Sequence, residues 1–432
     1  MNPTVNSSDA HVEVEFPGQV DGLNRPMLLP QSHARSKSSL YDELRKFQIC
    51  LKWCALDHST LLGKLVSYIT FALLTIVVPV ASSLAVRLPA ADPTSINKLV
   101  HLPESGLATI AFFTLSRFFK RYGLRQLLFL DGLQEDSHYV QRGYTRELDK
   151  AFRHLACILL PSFFVELAHK IVFFSTVTIF INSPRGVPSN SLVFVLVLAS
   201  WVYRTGLFLL VCFLFRLTCE LQILRFEGFY KLLEGYGSDA GVIFEEHLRI
   251  KKQLLVTSHR YRFFIIGSLF TITVSQLGAL FLVLASKFQK SFFNSGDLVV
   301  CSAVQLSGFF LCLLGAARIT HRAQRIVSAA TRWHMLVTRV LDAQSNQQKT
   351  DQMIITQYEN PNPNSVPKSD SSTGELNPSS FHTRQALVIY LQHNSGGITL
   401  FGFALDRGLL HTLFAFEFSL VLWILSKVVV LS

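Results

Sequence analysis

From Leu65 to Val86 the chain runs 22 residues without a charged side chain, and comparable runs recur along its length. This pattern constrains the fold more than any other feature. About 20 apolar residues in a helix rise ~30 Å, the thickness of a bilayer's hydrocarbon core. Inside that core every backbone N–H and C=O must be bonded within the segment, so an isolated apolar run crosses as a helix. Six further segments follow: Ser105–Phe119, which needs Leu99–Leu102 to reach full length, Leu155–Ile181, Ser191–Phe215, Phe263–Ser286, Leu298–Ala317, and a last one from Phe401 to Leu431. The predicted fold is therefore an all-α polytopic membrane protein with seven transmembrane helices. Only 16% of the residues are charged, against about 25% in soluble domains.

The basic residues orient these spans. Counting Arg117 and Lys427 near span ends with the connectors, 31 Lys and Arg fall in alternate connectors on one side and six on the other; only Lys170, Arg204 and Arg407 lie deeper within spans. Basic connectors stay in the cytoplasm. The N-terminus is thus expected inside and, after seven crossings, the C-terminus outside. A G-protein-coupled receptor has the opposite orientation, and a transporter would more often show an inverted repeat with broken helices in matching positions. The net charge of +11 is spread over blocks between apolar runs rather than gathered in a patch, which argues against nucleic acid as a partner. The lipid bilayer is the partner the composition calls for.

Residues 1–40 are polar and rich in Ser, Pro, Gly and Asn, and read as a disordered cytoplasmic tail without the features of a secretory signal. Residues 41–343 hold spans one to six. Apolar spacing continues beyond spans four, five and six, through Leu217, Leu221, Leu224, Phe229 and Leu232 after span four, which predicts helical extensions gathered in a cytoplasmic bundle. Residues 344–380 are rich in Asn, Ser and Pro and read as a disordered insert. Residues 381–432 comprise a cytoplasmic helix, a stop at Gly396-Gly397, and the seventh span. Asp406 followed by Arg407 stands where an Asp caps free N–H groups at a helix start. The seven cysteines fall in apolar or inside segments, so no disulfide framework is expected. Cys50 and Cys54 suit packing on an amphipathic helix, with palmitoylation as the alternative.

The chain resembles a plant family of seven-transmembrane proteins of unassigned function, itself distantly similar to the insect gustatory and odorant receptors. The resemblance rests on the inside N-terminus with seven spans, the extensions of spans four to six, and the final segment "LFGFALDRGLLHTLFAFEFSLVLWIL". Asp406 and Leu409-Leu410 match the early part of the insect receptors' final segment. Phe418-Ser419 stands where their Thr-Tyr would begin a terminal signature, so that signature is absent. The resemblance implies a homo-oligomer, a tetramer, with the last span lining a cation pore and an organic ligand held on the outer side among spans two, three, four and six; the plasma membrane is favoured over endomembranes as its location.

Ionisable groups inside a membrane are costly and mark interior faces or water-filled paths. Leu410, Leu413, Glu417, Leu420 and Ile424 share one stripe of the last span. Two readings are open: this stripe faces a symmetry axis, with four Glu417 as a cation-attracting ring and Ile424 as a hydrophobic gate, or Glu417 is neutral or paired within its own subunit. Glu166, His169 and Lys170 lie at i, i+3, i+4, so Glu166 and Lys170 can pair. Arg204 sits at a matching depth in the next span and is expected to join Glu166 and Lys170. That cluster is either a structural lock or the polar floor of a ligand pocket. Gly235, Gly237 and Gly241 lack phosphate-loop spacing, and no nucleophile–base or metal constellation stands out. Neither a cofactor nor enzymatic activity is expected. The reading is a chemoreceptor-like subunit of a ligand-gated cation channel; the alternative is a non-conducting seven-helix scaffold or signalling protein, and less so a transporter.

Overall fold

The structure is a computed structural model, and it describes residues 61–85, 94–127, 136–176, 189–235, 239–285, 292–358, 378–394 and 396–430. The expected N-terminal tail and the pair Cys50 and Cys54 lie outside these residues. The order of elements is α1 (Leu61–Ala72), a π-helical segment (Leu73–Val77), α2 (Val78–Ala85), α3 (Thr94–Leu127), α4 (His138–Thr176), α5 (Ser189–Glu234), α6 (Ala240–Ala285), α7 (Phe292–Tyr358), α8 (Pro378–His393), a two-residue hairpin of β1 (Thr399–Leu400) and β2 (Phe403–Ala404), and α9 (Arg407–Val430).

Among the described residues six helices are long and apolar enough to cross a membrane: the α1–α2 rod, α4, α5, α6, α7 and α9. The remaining expected span, the second in chain order and here α3, is not among them. Pro103, Glu104, Arg117, Lys120 and Arg121 dilute its apolar stretch. It nevertheless packs with the others, burying Leu107, Ala111, Leu115 and Phe118 on one face against α5 and α6.

Helix α5 is the centre of the molecule. Every residue from Leu207 to Phe215 is buried, which requires neighbours on all sides. Its most extensive partners are α7 and α4. Helix α4 is peripheral in its apolar half, where Leu160, Phe164, Val165 and Ile171 face outward; in a bilayer these contact lipid. Its basic end is better anchored, through Val140, Tyr144 and Leu148.

Helices α5 and α6 have 46 residues each and α7 has 67, or roughly 70 and 100 Å at 1.5 Å per residue. All three therefore outrun the ~30 Å apolar layer, and their polar halves project from the same end. Residues 344–358, assigned to the disordered insert from composition, are instead the last turns of α7. The run "SNQQKTDQMIITQY" holds no Gly or Pro, and Gln, Lys and Met are good helix formers, so the helix continues from its packed stem. Residues 359–377 of the insert lie outside the described residues.

The π segment in the first rod frees carbonyls from the regular ladder. Ser200 of α5 donates to Leu74 O, and Ser105 of α3 donates to Thr75 O at 3.1 Å. The bulge is thus pinned from two sides.

Candidate functional site: a buried charge network and the inner face of the last helix

Arg204 projects from α5 into the bundle and is only 2% exposed. An unpaired guanidinium there would cost several kcal/mol, and every nitrogen finds a partner. Nε donates to Ser200 O at 3.3 Å. Nη1 donates to Ser105 Oγ at 3.3 Å and to His101 O at 3.5 Å. Nη2 lies 3.1 Å from Glu104 Oε2 and 3.4 Å from His101 Nδ1. Glu104, equally buried, also accepts the thiol of Cys301 on α7. Ser105 and Ser200 in turn hold the π segment. One network therefore ties the first rod, α3, α5 and α7. The free space beside the ion pair, bordered by Thr205, Phe208, Val304 and Gln305, is about 10 Å³, room for one water.

The expected partnership of Arg204 with Glu166 is not formed. Glu166 pairs with Lys170 at 3.3 Å, both buried on α4, with His169 half-buried on the same turn. Lys170 also lies over the Phe173 ring at 5.9 Å. Matching depth was insufficient: Glu166 finds its partner one turn along its own helix, and the acid that meets Arg204 comes from α3. Glu104 and His101 went unrecognised as functional candidates. The available signal was an acid directly before the apolar run that starts at Ser105.

The stripe proposed to line a pore is turned into its own subunit. Leu410, Glu417, Leu420 and Ile424 are buried and Leu413 half-buried. Glu417 is 1% exposed and accepts from Thr273 Oγ1 of α6. With its amide nitrogen turned toward these acceptors, Gln276 donates to Glu417 Oε2 at 3.3 Å and to its backbone carbonyl at 3.0 Å. The reason is local chemistry: Thr273 and Gln276 on α6 offer hydrogen-bond donors to this buried carboxyl group within the subunit. Ile424 packs with Trp201, Leu280 and Cys301 rather than at a gate. The face of α9 that points away carries Gly408, Thr412, Ala415, Ser419 and Leu422, flanked by Phe416, Phe418 and Trp423.

The approach to α9 is built by local rules. Asp406 Oδ1 accepts Leu409 N at 2.7 Å, the N-cap bond expected from its position. Arg407 is the first helical residue. Gly396 and Gly397 do not cap α8, since neither has positive φ; Asn394 closes that helix, its N–H reaching Tyr390 O at 2.9 Å. Gly397 serves close approach instead. A Cβ there would stand 3.0 Å from Thr320 Oγ1 of α7. The hairpin turns through Phe401 (φ 50°) and Gly402 (φ 91°).

At the polar end, Asp136 clamps two helices. It accepts from Arg225 of α5 at 2.7 and 2.9 Å and from Arg249 of α6 at 2.8 Å; Arg249 also holds Glu246 at 2.7 Å. A surface cleft of about 450 Å³ opens beside it. Nearby, His247 is buried against Tyr390 of α8 and Phe229 of α5. Burial, helped by the Lys251 charge, lowers its pKa to about 4, so it is neutral at pH 7.

Residues 42–416 match the sequence profile of a family described as protein of unknown function, DUF3537. The chain belongs to that family. No curated protein matches it in sequence. In structure, this DUF3537 protein is similar to the insect olfactory receptor OR5 from Machilis hrabei, with a TM-score of 0.54 at 11% identity over 88% of this chain and 98% of the receptor. The same receptor in complex with eugenol matches equally, over 90% and 98%. The shared property is the fold: a multi-pass helical membrane architecture.

Proposed function

We propose that this DUF3537 protein is a subunit of a homotetrameric, ligand-gated cation channel of the plasma membrane, with its N-terminus inside and α3 as a seventh crossing. The observation that carries the proposal is the outward face of α9. Thr412, Ala415 and Ser419 form a small, partly polar stripe that is exposed in the subunit. Their hydroxyls donate to their own helix, Thr412 to Gly408 O at 3.1 Å and Ser419 to Phe416 O at 2.7 Å, which leaves oxygen lone pairs that a face on a fourfold axis would offer to passing cations. The likeness of nearly the whole chain to an olfactory receptor supports the same arrangement. Glu417 then acts behind the pore, joining α9 to α6. The ligand, a small organic molecule as eugenol is for the receptor of similar fold, would enter the outer half beside the Arg204 network among α3, α5 and α7, where the residual space requires side chains to open before it.

Purified protein in planar bilayers tests this. The expected result is cation-selective unitary current that Ser419→Trp blocks and Glu417→Gln leaves selective, from particles with fourfold symmetry. Monomeric particles and silent bilayers would instead leave the non-conducting scaffold, a reading consistent with the intrasubunit bonding of Glu417.

A further inference from the structure

Arg384 of α8 is the anomaly of the polar end. It is 7% exposed. Its Nη1 donates to Ser380 Oγ at 3.2 Å, but Nε and Nη2 are sealed from solvent with no acceptor, and no carboxylate pairs with it among the described residues. His334 of α7 faces the same place: its Nδ1 also lacks a partner, and the Arg384 charge adds to burial in lowering its pKa. A buried guanidinium with two idle nitrogens, and so three idle N–H groups, is costly to hold. The site is built for an anion.

The anion's source follows from access. The idle nitrogens are enclosed, so a carboxylate from another chain would have to unpack α8 to reach them. Ser380 already touches the guanidinium, and it is half-exposed in the first turn of α8. There the helix's free N–H groups and dipole also favour negative charge. We propose that Ser380 is a phosphorylation site whose phosphate is held by Arg384, locking the start of α8 onto α7. A protein kinase would transfer the terminal phosphoryl group of a nucleoside triphosphate. The Ser380 Oγ–P bond forms, the bond to the bridging oxygen breaks, the diphosphate leaves, and the hydroxyl proton passes to the kinase's base. The phosphoserine then accepts from Nη1, which Ser380 Oγ already meets, and reaches along the guanidinium edge to the idle Nη2, a bidentate pairing for which arginine is suited. The inference uses the inside placement of α8 and is independent of whether the protein conducts.

The test has two arms. Full-length protein is isolated from eukaryotic cells with phosphatases blocked, and the tryptic fragment ending at Arg384 is read by mass spectrometry; phosphate on Ser380 is expected. In parallel, phosphoserine is installed at position 380 by codon suppression and titrated by phosphorus NMR. Its second ionisation, near pH 6 in free phosphoserine, should fall by about half a unit or more. The shift should vanish in Arg384→Gln and persist in part in Arg384→Lys, which keeps the charge and guards against a folding artefact. The proposal is overturned by an unmodified Ser380, or by a shift indifferent to Arg384. It is equally overturned if millimolar inorganic phosphate alone protects the first-turn amides of α8 from hydrogen exchange as well as the modification does, since the site would then serve a free anion.

Discussion

Replacing the two ends of the Glu104–Arg204 pair, singly and together, probes the network that ties the first rod, α3, α5 and α7. At 3.1 Å and an effective dielectric constant of about 20, the pair's attraction is roughly 5 kcal/mol. Much of that offsets the desolvation of two charges, so the pair's net stabilisation is small, but the cost of breaking it is not. Arg204→Met leaves Glu104 buried with a thiol and His101 as its remaining neighbours. Glu104→Leu leaves a guanidinium held only by two carbonyls, one hydroxyl and an imidazole nitrogen. Each single change should cost about 3–5 kcal/mol. The double variant removes both charges and should lose less than either single one, a coupling of several kcal/mol. Unfolding from mixed micelles by SDS titration measures all three against the parent. Two singles that each lose less than about 1 kcal/mol and simply add in the double would refute the reasoning, and Arg204 would need another counter-ion.

Asp136→Ala should destabilise the polar end by about 3 kcal/mol, because it removes the only carboxylate paired with buried Arg225 among the described residues and leaves it Gln253 of α6; faster hydrogen exchange at the start of α6 is the readout. His247 gives a pH dependence. Its folded pKa of about 4 lies below the ordinary value near 6.5, so the unfolded form binds more protons between those values. Its contribution is whole above pH 6.5 and is lost as pH falls toward 4, by at most about 3 kcal/mol; exchange across α8 should rise over that window, and less so in His247→Phe. Asp406→Ala removes the cap of α9 and should cost about 1 kcal/mol, seen as fraying at Leu409. Phe401→Gly relieves a non-glycine residue from the left-handed region and should raise stability by up to about 1 kcal/mol, provided the loss of its contact with Arg262 is smaller.

The run of apolar segments, the projecting helices and the Asp406 cap were legible along the chain because each depends on neighbours within a few residues or on a local excess of apolar side chains. Hydropathy reports such things directly. The partners of the buried charges were not legible. Depth along the membrane normal can be counted from a span's end, but position around the bundle cannot. Glu166 and Arg204 were counted to one depth, yet Glu166 is buried against Lys170 of its own helix and the acid that meets Arg204 comes from α3, the helix with the weakest apolar signal. Glu417 shows the same limit. Its stripe is evident in the spacing, and only the packing of Thr273 and Gln276 against it decided that the stripe looks inward. Composition also misjudged residues 344–358, where a polar run without breakers stays helical because it grows from a packed stem. The sequence by itself determined a chain of membrane-length helices with one polar end. The tertiary structure decided which charges meet, because that choice is made by side-to-side packing, and packing compares residues that lie far apart along the chain.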